Sequence, residues 1–143
     1  MQLVMFVGIP ASGKSTFYKE RFFHSHMRIS LDLFNTRNKE NKFLELAFSL
    51  QQRMVVDNTN VTKADRMVYI AQAKTHGYAV IGYYFEPNLT ECLERNESRS
   101  GKEKINRIGV ITKFKNLESP RRDEGFDELY TVRLAGNQFV IKQ

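Results

Sequence analysis

The sequence has no tryptophan, one cysteine and three prolines, and no apolar run long enough to cross a membrane. A lone cysteine, Cys92, excludes a disulfide framework within the chain. That suits a reducing compartment, and a cytoplasmic location is the expectation. A span needs about 18 consecutive apolar residues, so no membrane partner is expected. Met1-Gln2-Leu3-Val4-Met5-Phe6-Val7 has no basic segment ahead of its apolar one and reads as a strand, not a secretory leader. His24, His26 and His76 have no partners at metal-ligand spacing. Cys92 lies among apolar residues, where a thiol is buried and inert.

What is present is an ordinary globular balance: 143 residues, 41% hydrophobic and 27% charged. Residues 1–143 therefore read as one domain with one core. The net charge is +6, and it is unevenly spread. From Arg95 to Arg122 nine Lys or Arg stand against Glu97, Glu103 and Glu118, which leaves the rest of the chain neutral. Such a block attracts polyanions, or it is a solvated helix face.

Along the chain, apolar runs alternate with helical patterns. Leu3 to Val7 and Ala79 to Phe85 read as buried strands, and Met27 to Ser30, Met54 to Asp57 and Glu128 to Arg133 as three more. Gly136-Asn137 is placed to turn the last into a short edge strand, Phe139 to Ile141. Helices are expected at Lys14 to Phe23, Lys42 to Arg53, from Thr62 to near Gly77, and at Leu89 to Arg99 and Glu103 to Leu117. In the second, Phe43, Leu46, Ala47 and Leu50 share a helical face; in the third, Ala64, Met67, Val68 and Ala71 do. Leu33 to Asn41 is polar and reads as loop. Strands separated by helices point to an α/β fold, a mostly parallel five-stranded sheet covered on both faces.

The chemistry is concentrated first in Gly8-x-x-x-x-Gly13-Lys14-Ser15, a Walker A motif between a strand and a helix start. Glycines let the loop curl so that its N–H groups, with those of Ala11 and Ser12, converge on phosphate oxygens. The following helix adds the positive end of its dipole. Lys14 supplies an ammonium for the β- and γ-phosphates, Ser15 a hydroxyl for Mg²⁺, and Thr16 lies near the α-phosphate. The expected ligands are ATP, or another nucleoside triphosphate, and Mg²⁺.

Ligands of open α/β sheets sit beyond the carboxyl ends of the strands. After the second strand comes Asp32, either a general base for an acceptor hydroxyl or an N-cap carboxylate. After the third comes Asp57, either a Walker-B-like acid for Mg²⁺ or a turn former in the run Asp57-Asn58-Thr59-Asn60. Thr59 is a candidate contact to substrate or to the P-loop. Arg95 and Arg99, four apart on one expected helix, are placed to clamp phosphate oxygens or to pair with Glu91, Glu94 or Glu103. Arg107 is a third candidate.

In combination, Gly8 to Thr16, Ser30-Leu31-Asp32, Val56 to Asn60 and Arg95-Asn96-x-x-Arg99 resemble the kinase domain of polynucleotide 5′-hydroxyl kinases, over nearly the whole chain. The resemblance implies a P-loop fold like adenylate kinase, a three-layer α/β/α sandwich with a small helical lid at about 95–122. It implies ATP-dependent transfer to the 5′-OH of DNA or RNA, with Asp32 as base and the Arg95–Arg99 pair stabilising the transition state. In relatives an Arg follows the base by three residues to grip the substrate phosphate. Asn35 stands there in this chain, and Arg37 is the candidate replacement. Larger relatives carry a fused phosphatase or ligase module, so kinase work alone is expected of these residues. Two other readings remain: a small-molecule kinase using the same P-loop and base, and an ATP-gated nucleic-acid-binding module without transfer.

Overall fold

Side-chain alternation in β1 (Gln2–Val7) separates the two sides of the molecule. Leu3, Met5 and Val7 enter one apolar cluster, and Val4 and Phe6 enter another. The structure, a computed structural model, describes residues 1–143. Its other strands are β2 (Met27–Ile29), β3 (Met54–Val56), β4 (Ala79–Phe85), β5 (Glu128–Ala135) and β6 (Gln138–Lys142). They form one sheet in the order β2-β3-β1-β4-β5-β6. The first five run parallel; β6 is the antiparallel edge strand returned by the turn at Gly136.

The helices are α1 (Lys14–Arg21), α2 (Leu31–Phe34), α3 (Arg37–Ser49), α4 (Lys63–Thr75), α5 (Leu89–Glu97) and α6 (Arg107–Asn116). Helices α3 and α4 cover one sheet face through Leu44, Ala47, Phe48, Tyr69, Ile70 and Ala73. On the other face α1 packs Phe17 and Tyr18 against Phe6, Phe85 and Val132, with Phe139 of β6 edge-on to Phe17. The P-loop residues Ile9 and Ala11 make a third cluster with Cys92 and Val110, which fastens α5 and α6 to the loop. No helix is long and apolar enough to cross a membrane.

Three sequence-based expectations need correction. Leu33 to Asn41 is not a loop. Ser30 caps α2 by accepting from Asp32 N–H, and Thr36 caps α3 by accepting from Lys39 N–H, so α3 starts five residues before Lys42. The polar residues there cap and flank the two helices, and one of them, Glu40, is buried.

The buried faces of α3 and α4 are also rotated from the expected ones. Of Phe43, Leu46, Ala47 and Leu50, only Ala47 is buried. Met67 and Val68 are 39% and 53% exposed, while Arg66, Tyr69, Ile70 and Ala73 face the sheet. Buried Arg66 is made tolerable by a two-bond pairing with Glu124, at 2.7 and 3.1 Å, and by the carbonyls of Asn60 and Val61. Apolarity alone therefore pointed to the wrong side.

Finally, α5 ends at Glu97 and α6 starts at Arg107, so Arg99 lies past the helix that was expected to carry it.

Candidate active site

The P-loop follows the central strand, which places it between the ends of β3 and β4. Its path depends on backbone conformations most side chains resist. Gly13 sits at φ 98° as the N-cap of α1, where a Cβ would also meet the Phe139 ring at 3.1 Å. A Cβ on Gly8 would stand 2.8 Å from Ser12 Oγ and 2.9 Å from Phe85 Cβ. Ala11 holds φ 65° without being glycine, a local strain of the sort found at ligand cradles. Gly8 N–H donates to Thr59 O at 3.0 Å, which ties the loop to the segment after β3.

Lys14 curls back over its own loop. Its ammonium donates to the carbonyls of Gly8 and Ile9 at 3.1 and 2.9 Å. Withdrawal from water lowers its pKa from 10.5 to about 8, although Asp57, Cys92 and Asp32 pull the other way. Ser15 Oγ donates to Asp57 Oδ2 at 3.1 Å. Asp57 is thus a partner of the cradle and not merely a turn former. These are hard oxygen donors, and nowhere does the chain gather three His, Cys, Asp or Glu into a metal cage. That chemistry fits Mg²⁺, which uses one or two protein oxygens and takes the rest from phosphate and water.

One cavity of about 990 Å³ joins the cradle to the opposite wall. Lys14, Ser15, Thr16, Asp57 and Thr59 line it together with Asp32, Arg37, Arg99, Lys102 and Lys113, and Asp65 and Glu103 add acidic groups. Asp32 hydrogen-bonds only through its backbone. Its N–H donates to Ser30 Oγ and its carbonyl accepts from the Lys102 ammonium at 2.8 Å, which leaves the carboxylate free. The cap of α2 is Ser30, so the alternative reading of Asp32 as an N-cap lapses.

Arg37 is held from behind. Its Nη1 donates to Tyr69 Oη at 2.7 Å and to Glu40 Oε1 at 3.3 Å. Glu40 is buried and also accepts from Tyr69 Oη at 2.6 Å and Asn58 Nδ2 at 2.9 Å. Burial, with the carboxylate beside it, raises the Tyr69 pKa and keeps the phenol protonated. Asn58 Oδ1 in turn accepts from Leu31 N–H at 2.9 Å, so one buried network fixes both Arg37 and the Asp32 turn.

The other arginines divide. Arg95 donates through Nη1 to Ala11 O and pairs through Nη2 with Glu91 at 3.2 Å. It lines a smaller cavity of about 180 Å³ behind the P-loop, with Ser12, Arg133 and Leu134. Arg99 lines the large cavity instead, so the two do not form a fork on one helical face. Arg107 is exposed at the start of α6 and lines neither cavity; Lys113, two turns later, reaches the large one. Cys92 is buried, and burial raises its pKa, as expected of an inert thiol.

Sequence reasoning missed Arg28, Glu40, Tyr69, Lys102 and Lys113, and had Asn58 only as a member of the polar run after β3. Only Arg28 carried a local signal, a charge in the middle of a three-residue strand. The others act across long sequence separations.

Comparisons with known proteins bear on the family and the fold. Residues 28–108 match the family model described as an AAA domain. The bifunctional polynucleotide phosphatase/kinase of Schizosaccharomyces pombe is 33% identical over 135 residues, covering 92% of this chain and 33% of that protein. A protein of Acanthamoeba polyphaga mimivirus named for the same two activities is 29% identical over 138 residues, with the same coverage. The chain thus spans about a third of the length of the curated relatives it matches. A gluconokinase from Sinorhizobium meliloti 1021 superposes with a TM-score of 0.63 at 18% identity, covering 94% of this chain and 83% of that one.

Proposed function

The chain belongs to the AAA domain family, whose model matches its residues 28–108, and from that premise we propose that it is a kinase moving the γ-phosphate of ATP to the 5′-hydroxyl of DNA or RNA. The observation that carries this reading is the shared cavity. A complete phosphate cradle opens directly onto an uncommitted carboxylate, Asp32, in a basin lined by Arg37, Arg99, Lys102 and Lys113.

Each residue has a task in such a transfer. The P-loop amides and Lys14 bind the triphosphate, and Lys14 exchanges its present carbonyl partners for phosphate oxygens. Ser15 and Asp57 would hold Mg²⁺, which supplies charge neutralisation on the triphosphate when bound. Asp32 takes the acceptor's proton as its oxygen attacks the γ-phosphorus. Arg99 lies in the same basin and offsets charge that builds on the transferred group. Arg37, held by Glu40 and Tyr69, binds a backbone phosphate of the acceptor. Arg95 keeps Ala11 in place and borders the small cavity, a seat for the nucleobase.

The relatives named for polynucleotide kinase activity support a polynucleotide acceptor, and the four cations on the acceptor wall suit one. A second reading, a small-molecule kinase, is favoured by the fold shared with a gluconokinase. Labelled γ-phosphate offered with 5′-OH DNA, 5′-OH RNA, nucleosides and gluconate separates them. Label on the oligonucleotides, declining steeply with salt, is expected. Label only on a small acceptor would overturn the polynucleotide reading.

A further inference from the structure

Arg28 stands at the centre of β2 with its guanidinium on the two atoms assigned above to the metal. Nε donates to Asp57 Oδ2 at 2.8 Å, and Nη2 donates to Ser15 Oγ at 3.1 Å. The same Oδ2 also accepts from Ser15 Oγ at 3.1 Å, so the three side chains close a triangle. The Asp57 side chain is 2% exposed and that of Arg28 26%. The carboxylate is therefore withdrawn from water while its cation sits at the cavity rim.

We propose that Arg28 is a positioning residue that holds the Ser15–Asp57 pair in register in the empty protein and competes with Mg²⁺ for it. This rests on the kinase reading above for the identity of the metal.

The physical reasons are two. A buried carboxylate stripped of its partner is strongly destabilising, so Asp57 needs a cation whether or not nucleotide is bound. Arg28 forms no ion pair with any other carboxylate, and Asp57 none with any other base. When a divalent ion approaches the same oxygens, it meets a like charge within hydrogen-bonding distance. In a partly desolvated site that repulsion outweighs what it would be in water. In addition, Ser15 Oγ must turn a lone pair from the guanidinium to the metal. Mg²⁺ alone is therefore a poor competitor, and it displaces Arg28 effectively only together with a triphosphate that supplies further oxygens. In that way Arg28 makes metal loading depend on nucleotide.

The test is a Mg²⁺ titration of the binding of a non-hydrolysable ATP analogue by calorimetry, together with melting temperatures in Mg²⁺ without nucleotide. Wild type, Arg28→Met and Arg28→Lys are compared. In Arg28→Met the half-saturating Mg²⁺ concentration is expected to fall about tenfold as the competing charge is removed. Metal-free Arg28→Met should melt lower than wild type and recover in millimolar Mg²⁺, a rise wild type does not show. Arg28→Lys keeps a charge but lacks the planar fork that reaches both oxygens, so its half-saturation should lie between the two. If Arg28→Met fails to fold, the Lys variant decides by the same readouts. An unchanged half-saturation would reduce Arg28 to a structural ion pair, and a raised one would make it a helper of the metal; either overturns the proposal. Because these measurements read binding and melting, loss of the kinase reading through a silent acceptor panel would leave their outcome intact.

Discussion

The two walls of the large cavity are built in opposite ways. On the cradle side, most groups lie within one short stretch, Gly8 to Thr16, joined by Asp57 and Thr59 after β3, and the backbone does most of the binding. On the acceptor side, the groups come from α2, α3, α6 and the segment after α5, and side chains do the work. A backbone cradle tolerates almost any neighbours so long as Gly8 and Gly13 keep their conformations. A side-chain wall depends on second partners, as Arg37 depends on Glu40 and Tyr69. Nucleotide chemistry is therefore the robust half of the site, and acceptor choice the half that a few substitutions can retune.

Substitutions that act on one wall only would sharpen the contrast. The largest effect is expected from Lys14→Met, which removes a donor from the triphosphate. Transfer should fall by roughly 10³-fold, with melting of the nucleotide-free protein little affected. A rate assay with a parallel melting curve checks both.

Next is Glu40→Gln on the other wall. It weakens charged hydrogen bonds to Tyr69, Asn58 and Arg37 in a buried network, at a cost of about 2 kcal/mol in denaturant unfolding. The KM for the acceptor should rise several-fold while that for ATP stays put. Equal changes in both would mean that the walls are not independent.

The smallest effect is one of pH. Lys14 titrates at about 8 in the folded, empty protein against 10.5 for a free lysine. Its folded pKa is depressed, so between those values the unfolded chain binds more protons and stability rises with pH. A bound triphosphate reverses the sign, because the anion favours the ammonium. ATP affinity should therefore fall above about pH 8, by up to tenfold per unit, and Lys14→Met should lose that slope. Calorimetry across pH 7 to 9.5 reads it.

The same contrast explains what the sequence could show. The P-loop, the five parallel strands and the placing of Asp57 beside the cradle were legible because each is local: a motif, an apolar run, a carboxylate just past a strand end. The acceptor wall was not. Thr36 and Glu40 lie in a polar stretch that looked like loop, and nothing local ties Glu40 to Tyr69, 29 residues away. Arg66 was hidden because its burial depends on Glu124, 58 residues on. The expected shared helical face of Arg95 and Arg99 missed a boundary: with α5 ending at Glu97, the two arginines line different cavities. Helix phase went wrong in α3 and α4 where apolar residues such as Leu46 and Val68 face outward and charged ones face in.

Whether the two walls meet in one reaction is tested most directly by Asp32→Ala, comparing transfer to a 5′-OH oligonucleotide with ADP binding in the same preparation. The expected result is a loss of transfer of about 10²- to 10⁴-fold, with nucleotide affinity within about twofold of wild type, because Asp32 makes no hydrogen bond to the cradle. Transfer at the wild-type rate would contradict the assignment of Asp32 as the acceptor's base.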